Sequence, residues 1–240
     1  MAFFGDSLTK GTLGASFLKI LAQKLPDDTL LNFGKNGDTI HGLYKRIKRL
    51  PPTIKPDLGC IWIGTNDILT HVSSGYNLST KPSKKPWQDN HDAYQKDYQN
   101  LLDDLTKRIA AIITLPPILI GEDVNNLWNQ ELDALAYMIE TLSKQYPTVT
   151  YFNLRDVFIK ELMQKKSSRY LRPTIPAVLF DKIACTTAQN MDVYAQKRGL
   201  FFTIDGVHLN TKGAHIVADA IHTIIQDYKK KSYTPLTPIS

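Results

Sequence analysis

The 240-residue chain contains only two cysteines, Cys60 and Cys185, far apart and in no Cys-x-x-Cys pair. That scarcity excludes a disulfide scaffold, a zinc ribbon and a dithiol redox motif. Cys60 lies inside an apolar run and reads as a small buried hydrophobe. No run of about 18 consecutive apolar residues occurs, so no transmembrane helix is expected. A charged segment, an apolar segment and a cleavage site do not follow one another at the N-terminus. Met1 leads almost directly into a first apolar strand, and a cytoplasmic location is the expectation. Internal repeats and low-complexity tracts are also missing, which excludes a solenoid.

Nucleotide-binding signatures are absent as well: residues 34–39 are neither Gly-x-Gly-x-x-Gly nor a P-loop. No serine satisfies Gly-x-Ser-x-Gly, the elbow of the α/β-hydrolase fold; position 9, where the second glycine would stand, is Thr9. Of the histidines, His41, His71, His91, His215 and His222 have no metal-like spacing. No metal and no other cofactor are therefore expected. Charge of one sign is only mildly in excess, at +6. The basic clusters (Lys81, Lys84, Lys85; Lys165, Lys166, Arg169, Arg172; Lys229 to Lys231) come without a nucleic-acid recognition motif and read as solvated surface. No nucleic-acid partner is expected.

What the chain does have is a regular alternation of short apolar runs and amphipathic stretches. Residues 29–33, 57–63, 118–120 and 149–154 read as strands, with another ending at Gly5. The nearly continuous apolar run of 57–63 suits a parallel strand covered on both faces. Helical stripes are formed by Phe17, Leu18, Leu21 and Leu25; by Ile40, Leu43, Ile47 and Leu50; by Tyr94, Tyr98, Leu101, Leu102, Leu105 and Ile109; and by Leu132, Leu135, Ile139 and Leu142. A closing helix follows residues 210–213, with Ile216, Val217, Ala220, Ile221, Ile224 and Ile225 on its apolar stripe. Strands alternating with helices in this way define a doubly wound α/β fold around a parallel sheet. A single domain over 1–228 is expected, with inserted loops near 71–90, where Tyr76 and Trp87 are embedded, and near 165–199. Lysines and prolines mark 229–240 as a flexible tail.

Such a sheet presents its ligand site at the carboxyl ends of the strands. The loops expected there carry Gly5-Asp6-Ser7, then Gly34 to Gly37, then Gly64-Thr65-Asn66-Asp67, and a fourth polar set, Asp205-Gly206-Val207-His208, precedes the closing helix. Alone, Gly5-Asp6-Ser7 reads as a turn with a helix N-cap, and Asp205-x-x-His208 as a loop hydrogen bond or half a metal site. Together they hold the parts of acyl transfer. Ser7 is a nucleophile needing a base, His208 a base needing an orienting acid, and Asp205 lies three residues away from it. The Ser7 and Gly37 N–H groups and the Asn66 amide are candidate donors to an oxyanion.

The four blocks, Gly5-Asp6-Ser7-Leu8, Asn32-x-Gly34-x-x-Gly37-Asp38-Thr39, Gly64-Thr65-Asn66-Asp67 and Asp205-Gly206-Val207-His208-Leu209-Asn210, resemble those of the SGNH hydrolases, the GDSL esterase and lipase family. The resemblance implies Ser7, Asp205 and His208 as catalytic residues and Ser7, Gly37 and Asn66 as the oxyanion hole. It implies a three-layer α/β/α sandwich with a five-stranded parallel sheet, flavodoxin-like, and no metal. A serine esterase acting on a small-molecule or lipid ester follows, with short acyl groups on a small alcohol or carbohydrate expected. A lysophospholipase or thioesterase of the same family, and a non-catalytic binding protein on the same fold, are the alternatives.

Overall fold

The computed structural model describes the backbone of residues 1–72, 88–165, 170–171 and 188–232. Most of both expected inserted loops, with Tyr76, Trp87 and Cys185, and residues 233–240 lie outside the described residues.

Five parallel strands form one sheet in the order β2-β1-β3-β4-β5: β1 (Ala2–Gly5), β2 (Leu31–Gly34), β3 (Leu58–Trp62), β4 (Ala111–Leu115) and β5 (Val149–Tyr151). This is the flavodoxin-like arrangement, with its switch point between β1 and β3. Side chains alternate between two cores, as the strand period of two requires. Phe3, Leu58, Cys60, Trp62, Ile113 and Leu115 face one core, with α2 (Phe17–Lys24), α7 (Leu154–Leu162) and α9 (Thr211–Ser232). Ala2, Phe4, Ile61 and Ile112 face the other, with α3 (Ile40–Ile47), α4 (Thr65–Val72), α5 (Gln88–Leu105) and α6 (Leu127–Ser143). Two further helices, α1 (Ser7–Lys10) and α8 (Ala188–Lys197), flank the site end of the molecule. The result is a three-layer α/β/α sandwich.

One expected strand is misplaced. Residues 118–120 form a loop, and the fourth strand lies earlier, at Ala111–Leu115. The apolar stripe that runs to Ile109 hides the break: α5 stops at Leu105, and Ile109 is buried outside the helix. The β-branched Ile112, Ile113 and Thr114 favour a strand. Pro116, without an N–H, ends the ladder instead of opening it. Ile118 and Leu119 enter one core and Ile120 the other, so this loop is apolar because it is buried across the sheet's end. Arg155 and the amides of Asn126 and Asn129 satisfy its carbonyls in place of a neighbouring strand.

Two further elements differ from the sequence pattern. Residues 149–154 hold a three-residue strand, after which Asn153 caps α7 through its side chain, accepting the Asp156 N–H at 3.3 Å. Leu154, Phe158 and Leu162, four residues apart, are that helix's buried face. At the other end, α9 continues to Ser232, and Lys229 pairs with Asp28 at 2.5 Å.

Phe158 is fully buried and packs edge-on against Phe202 with ring centroids 5.4 Å apart. Phe158→Ala should lower unfolding free energy by about 3–5 kcal/mol in a denaturant titration. Tyr137→Ala, at a position 73% exposed, should leave it nearly unchanged.

Candidate active site

The site is assembled where β1, β2 and β3 end side by side, with Gly5 in register with Gly34 on one side and Trp62 on the other. The chain turns sharply after Gly5 because there is no room for a side chain: a Cβ there would lie 2.2 Å from the Trp62 carbonyl oxygen and 2.3 Å from Thr9 Oγ1. Asp6 then caps α1, its Oδ1 accepting the Leu8 N–H at 2.9 Å. Ser7 is thereby the first residue of that helix, buried except for 6% of its surface. Its Oγ lies 3.1 Å from His208 Nε2. On the other side of the ring, His208 Nδ1 lies 2.7 Å from Asp205 Oδ2.

Asp205 and His208 belong to a narrow loop closed by its own backbone. Ile204 N–H donates to the His208 carbonyl at 2.8 Å, and residues Thr203 and Leu209 form an antiparallel bridge. Asp205 Oδ1 accepts the N–H groups of Val207 and His208 at 2.9 and 2.8 Å, leaving Oδ2 aimed at the imidazole. Burial pushes the Asp205 carboxyl upward, but the charge and hydrogen bond of His208 and these two N–H groups prevail and hold it below the usual carboxylate range.

The second and third loops are tied to each other and to β1. Lys35 N–H donates to the Gly5 carbonyl at 3.1 Å. Arg46 holds Asp38 Oδ2 through Nε and Nη2 at 2.9 and 2.6 Å, and its Nη1 reaches the Phe33 carbonyl at 3.1 Å. Asn66 Nδ2 donates to the Asp38 carbonyl at 2.9 Å, which fixes the amide one residue beyond Gly37. Gly37 has φ 70°, a left-handed conformation that an L side chain resists, and a Cβ there would meet no atom within 4 Å. Among the described residues, the Ser7 and Gly37 N–H groups donate to no protein acceptor. The structure thus brings Ser7, Asp205 and His208 into line and sets Gly37 and Asn66 on adjoining loops.

Two buried acids lie beneath this edge. Burial raises Asp6 to about 7, against the opposing pull of the Leu8 N–H and His208. Burial raises Asp67 to about 8, although both its oxygens accept the Ile40 N–H at 3.1–3.2 Å. Among the described residues, no three His, Cys, Asp or Glu side chains cluster as metal ligands, and no helix is long and apolar enough to cross a membrane. A cavity of about 710 Å³ is lined by residues such as Leu58, Ala111, Ile216 and Ile224, at the starts of β3 and β4, away from Ser7.

Sequence reasoning missed Glu122 and the pair Arg155 and Asn129, all fully or almost fully buried. Glu122 follows the apolar residues 118–120 and Gly121, the same apolar-Gly-acid order seen at Gly5-Asp6. Reading 118–120 as a strand hid the fact that the acid's partners come from residues 201–203.

A serine, a histidine and an aspartate in line at the carboxyl edge of a 2-1-3-4-5 sheet are the parts of a serine hydrolase. The chain belongs to the GDSL-like Lipase/Acylhydrolase family, whose model matches residues 1–221, and it is a serine hydrolase acting on carboxylic ester bonds. Among solved structures it is similar to the acetyl xylan esterase AlAXEase, with 21% identity, TM-score 0.64, and 93% of this chain and 98% of that one covered. It is also similar to Axe2, an acetylxylan esterase from Geobacillus stearothermophilus, with 18% identity, TM-score 0.63, and coverage of 93% and 92%. A member of the lipolytic protein G-D-S-L family from Veillonella parvula DSM 2008 shares 14% identity, TM-score 0.61, and coverage of 94% and 97%. At these identities the likeness is one of fold. No curated protein sequence matches the chain.

The raised values of Asp6 and Asp67 mean that the folded state binds more protons than the unfolded chain between about pH 4 and pH 8. The stability these two acids contribute therefore falls as pH rises through that span. Asp67→Asn keeps an oxygen for the Ile40 N–H but cannot ionise. Its melting temperature should gain on the wild type between about pH 5 and about pH 9; a difference that stays constant with pH would contradict the assignment.

Proposed function

We propose that the protein hydrolyses short acyl esters of a small alcohol or carbohydrate through an acyl-enzyme on Ser7. The observation that carries this reading is the continuous chain from Ser7 Oγ to His208 Nε2, 3.1 Å, and from His208 Nδ1 to Asp205 Oδ2, 2.7 Å. His208 Nε2 takes the hydroxyl proton as Ser7 Oγ bonds to the ester carbonyl carbon. Asp205 accepts from Nδ1, which selects the tautomer with a free Nε2 lone pair and stabilises the imidazolium. The oxyanion is received by the N–H groups of Ser7 and Gly37 and the Asn66 amide. Collapse of the tetrahedral intermediate breaks the bond to the alcohol, which leaves with the proton from His208. Water, deprotonated by the same nitrogen, then releases the acid and restores Ser7.

The size and character of the substrate rest on two supports. Asn36 and Thr12, hydrogen-bonded to each other at 3.0 Å and exposed, give the edge beside Gly37 a polar rim. Two of the structural relatives are, by name, esterases of acetylated xylan.

With a short-chain chromogenic ester, Ser7→Ala should abolish turnover; equal rates in variant and wild type would refute the nucleophile. Asn66→Ala should lower kcat by about 100- to 1,000-fold with KM little altered, and an unchanged kcat would remove the amide from the oxyanion hole. Across a series of acyl lengths, kcat/KM should be highest for acetyl and decline as the chain grows, and acetylated xylo-oligosaccharides should be deacetylated. A maximum at long acyl chains would favour a lipase-like substrate instead.

A further inference from the structure

Glu122 has no place in the chemistry above, yet it is a fully buried acid beside the loop that supplies two catalytic groups. Its carboxylate accepts four hydrogen bonds from three consecutive residues. Oε2 takes the Phe201 N–H at 2.6 Å, and Oε1 takes the Phe202 N–H at 2.8 Å, the Thr203 N–H at 2.9 Å and the Thr203 hydroxyl at 2.8 Å. Hydrogen bonds to a buried carboxylate are among the stronger ones a protein makes, and leaving these N–H groups unpaired in the interior is costly.

Residues 201–203 are the first half of the stem whose tip is the acid–base turn. The Asn210 N–H returns to the Phe202 carbonyl at 2.9 Å, Thr203 bridges Leu209, and Ile204 N–H bonds to the His208 carbonyl. The stem therefore moves as one piece with Asp205 and His208. The residue before Glu122 holds the tip directly, with the Gly121 N–H donating to the Gly206 carbonyl at 2.6 Å. Residues 121 and 122 grip the catalytic loop at both its base and its turn.

The grip is itself anchored to the helical layers. Asn129 Nδ2 on α6 donates to the carbonyls of Ile120, Gly121 and Asp123 at 3.3, 3.3 and 2.8 Å. Arg155 on α7 donates to the Asn129 carbonyl at 2.7 Å, to its Oδ1 at 3.2 Å and to the Ile118 carbonyl. A polar strut thus runs from α7 through Asn129 and Glu122 to the loop bearing His208. It lies between β4 and the closing helix, where among the described residues no strand of the sheet pairs with the loop.

We propose that Glu122 is a positioning residue for acyl transfer, holding Asp205 and His208 at hydrogen-bonding range of Ser7 through its four-donor clamp on residues 201–203. The proposal rests on the acyl-transfer reading of Ser7, Asp205 and His208. Its mechanism is geometric. An amide at position 122 has one acceptor oxygen, so its NH₂ group must face either the Phe201 N–H or the three donors from Phe202 and Thr203, and one side of the clamp opens. A shift of the stem by an ångström changes the Ser7 to His208 contact by the same amount, and misplacements of that size cost up to about 100-fold in rate.

The test compares Glu122→Gln, Thr203→Val, Ser7→Ala and Thr114→Val with the wild type on a short-chain chromogenic ester. Thr114→Val removes a buried hydrogen bond to Ser143 Oγ, 2.7 Å, in the core away from the catalytic loop, and serves as the control for lost stability alone. Glu122→Gln should lower kcat by about tenfold or more with KM within about twofold. The downfield proton resonance of the His208 Nδ1–H should shift or broaden in this variant. Thr203→Val, which removes one donor and keeps the carboxylate, should show the same effects in smaller measure, and it decides the matter if Glu122→Gln does not fold. Thr114→Val should lose melting temperature with kcat and the imidazole resonance unchanged. Wild-type kcat and an unshifted resonance in Glu122→Gln, or in Thr203→Val where that variant stands in, would overturn the positioning role. So would an equal fall in kcat in Thr114→Val at matched loss of stability. Retention of turnover by Ser7→Ala would instead remove the acyl-transfer reading on which the proposal stands.

Discussion

The site end of this protein depends on buried acids that capture backbone N–H groups of helix starts and loops beyond the strand ends, where the sheet supplies no acceptor among the described residues. Asp6 takes the Leu8 N–H, Asp67 the Ile40 N–H, Asp205 those of Val207 and His208, and Glu122 those of Phe201, Phe202 and Thr203. A parallel sheet satisfies its own backbone only as far as Gly5, Gly34, Trp62 and Leu115. Beyond those residues Leu8, Ile40, Phe202, Thr203, Val207 and His208 are buried, and a buried N–H without an acceptor costs about 1–3 kcal/mol. Side-chain oxygens supply the missing acceptors. Because each carboxylate reaches a specific set of N–H groups, the same bonds that satisfy the backbone also set where Ser7, Asn66 and His208 stand.

These carboxylates differ in electrostatic setting. Asp205 faces an imidazole and two N–H groups and stays in its ionised form well below neutrality. Burial is the main cause that raises both Asp6 and Asp67; the charge of Asp38 adds to each, and that of Asp6 adds to Asp67. Arg46, on α3, is the cation that holds Asp38. Asp205 thus stands against the imidazole of His208 and Asp38 against the guanidinium of Arg46, while burial makes Asp6 and Asp67 resist ionisation. A developing negative charge on an ester oxygen meets less repulsion from Asp6 and Asp67 than two ionised aspartates would impose.

The layer order and the convergence of four loops were legible because they rest on local patterns. Apolar runs of period two or near-continuous apolarity mark β1 and β3, stripes at helical spacing mark α3, α6 and α9, and glycine with an acid marks the turns after β1 and β3. What escaped notice depended on distant partners. Residues 118–120 are as apolar as a strand, and only Arg155, Asn126 and Asn129, supplied from two helices, explain why their carbonyls need no neighbouring strand. The break between α5 and β4 was concealed because Ile109 continues the stripe of a helix that has already ended. Glu122 could not be assigned from its own neighbourhood, since its four donors lie about 80 positions further along the chain.

The account stands on Ser7 being an activated serine. Intact-mass measurement after treatment with a fluorophosphonate, followed by peptide mapping, reads that property without assuming a substrate. One adduct per chain on the peptide that contains Ser7, formed rapidly in the wild type and at a rate greatly reduced in His208→Ala, is the predicted result. An unmodified Ser7 in the folded wild type, or labelling equally fast without His208, would contradict it.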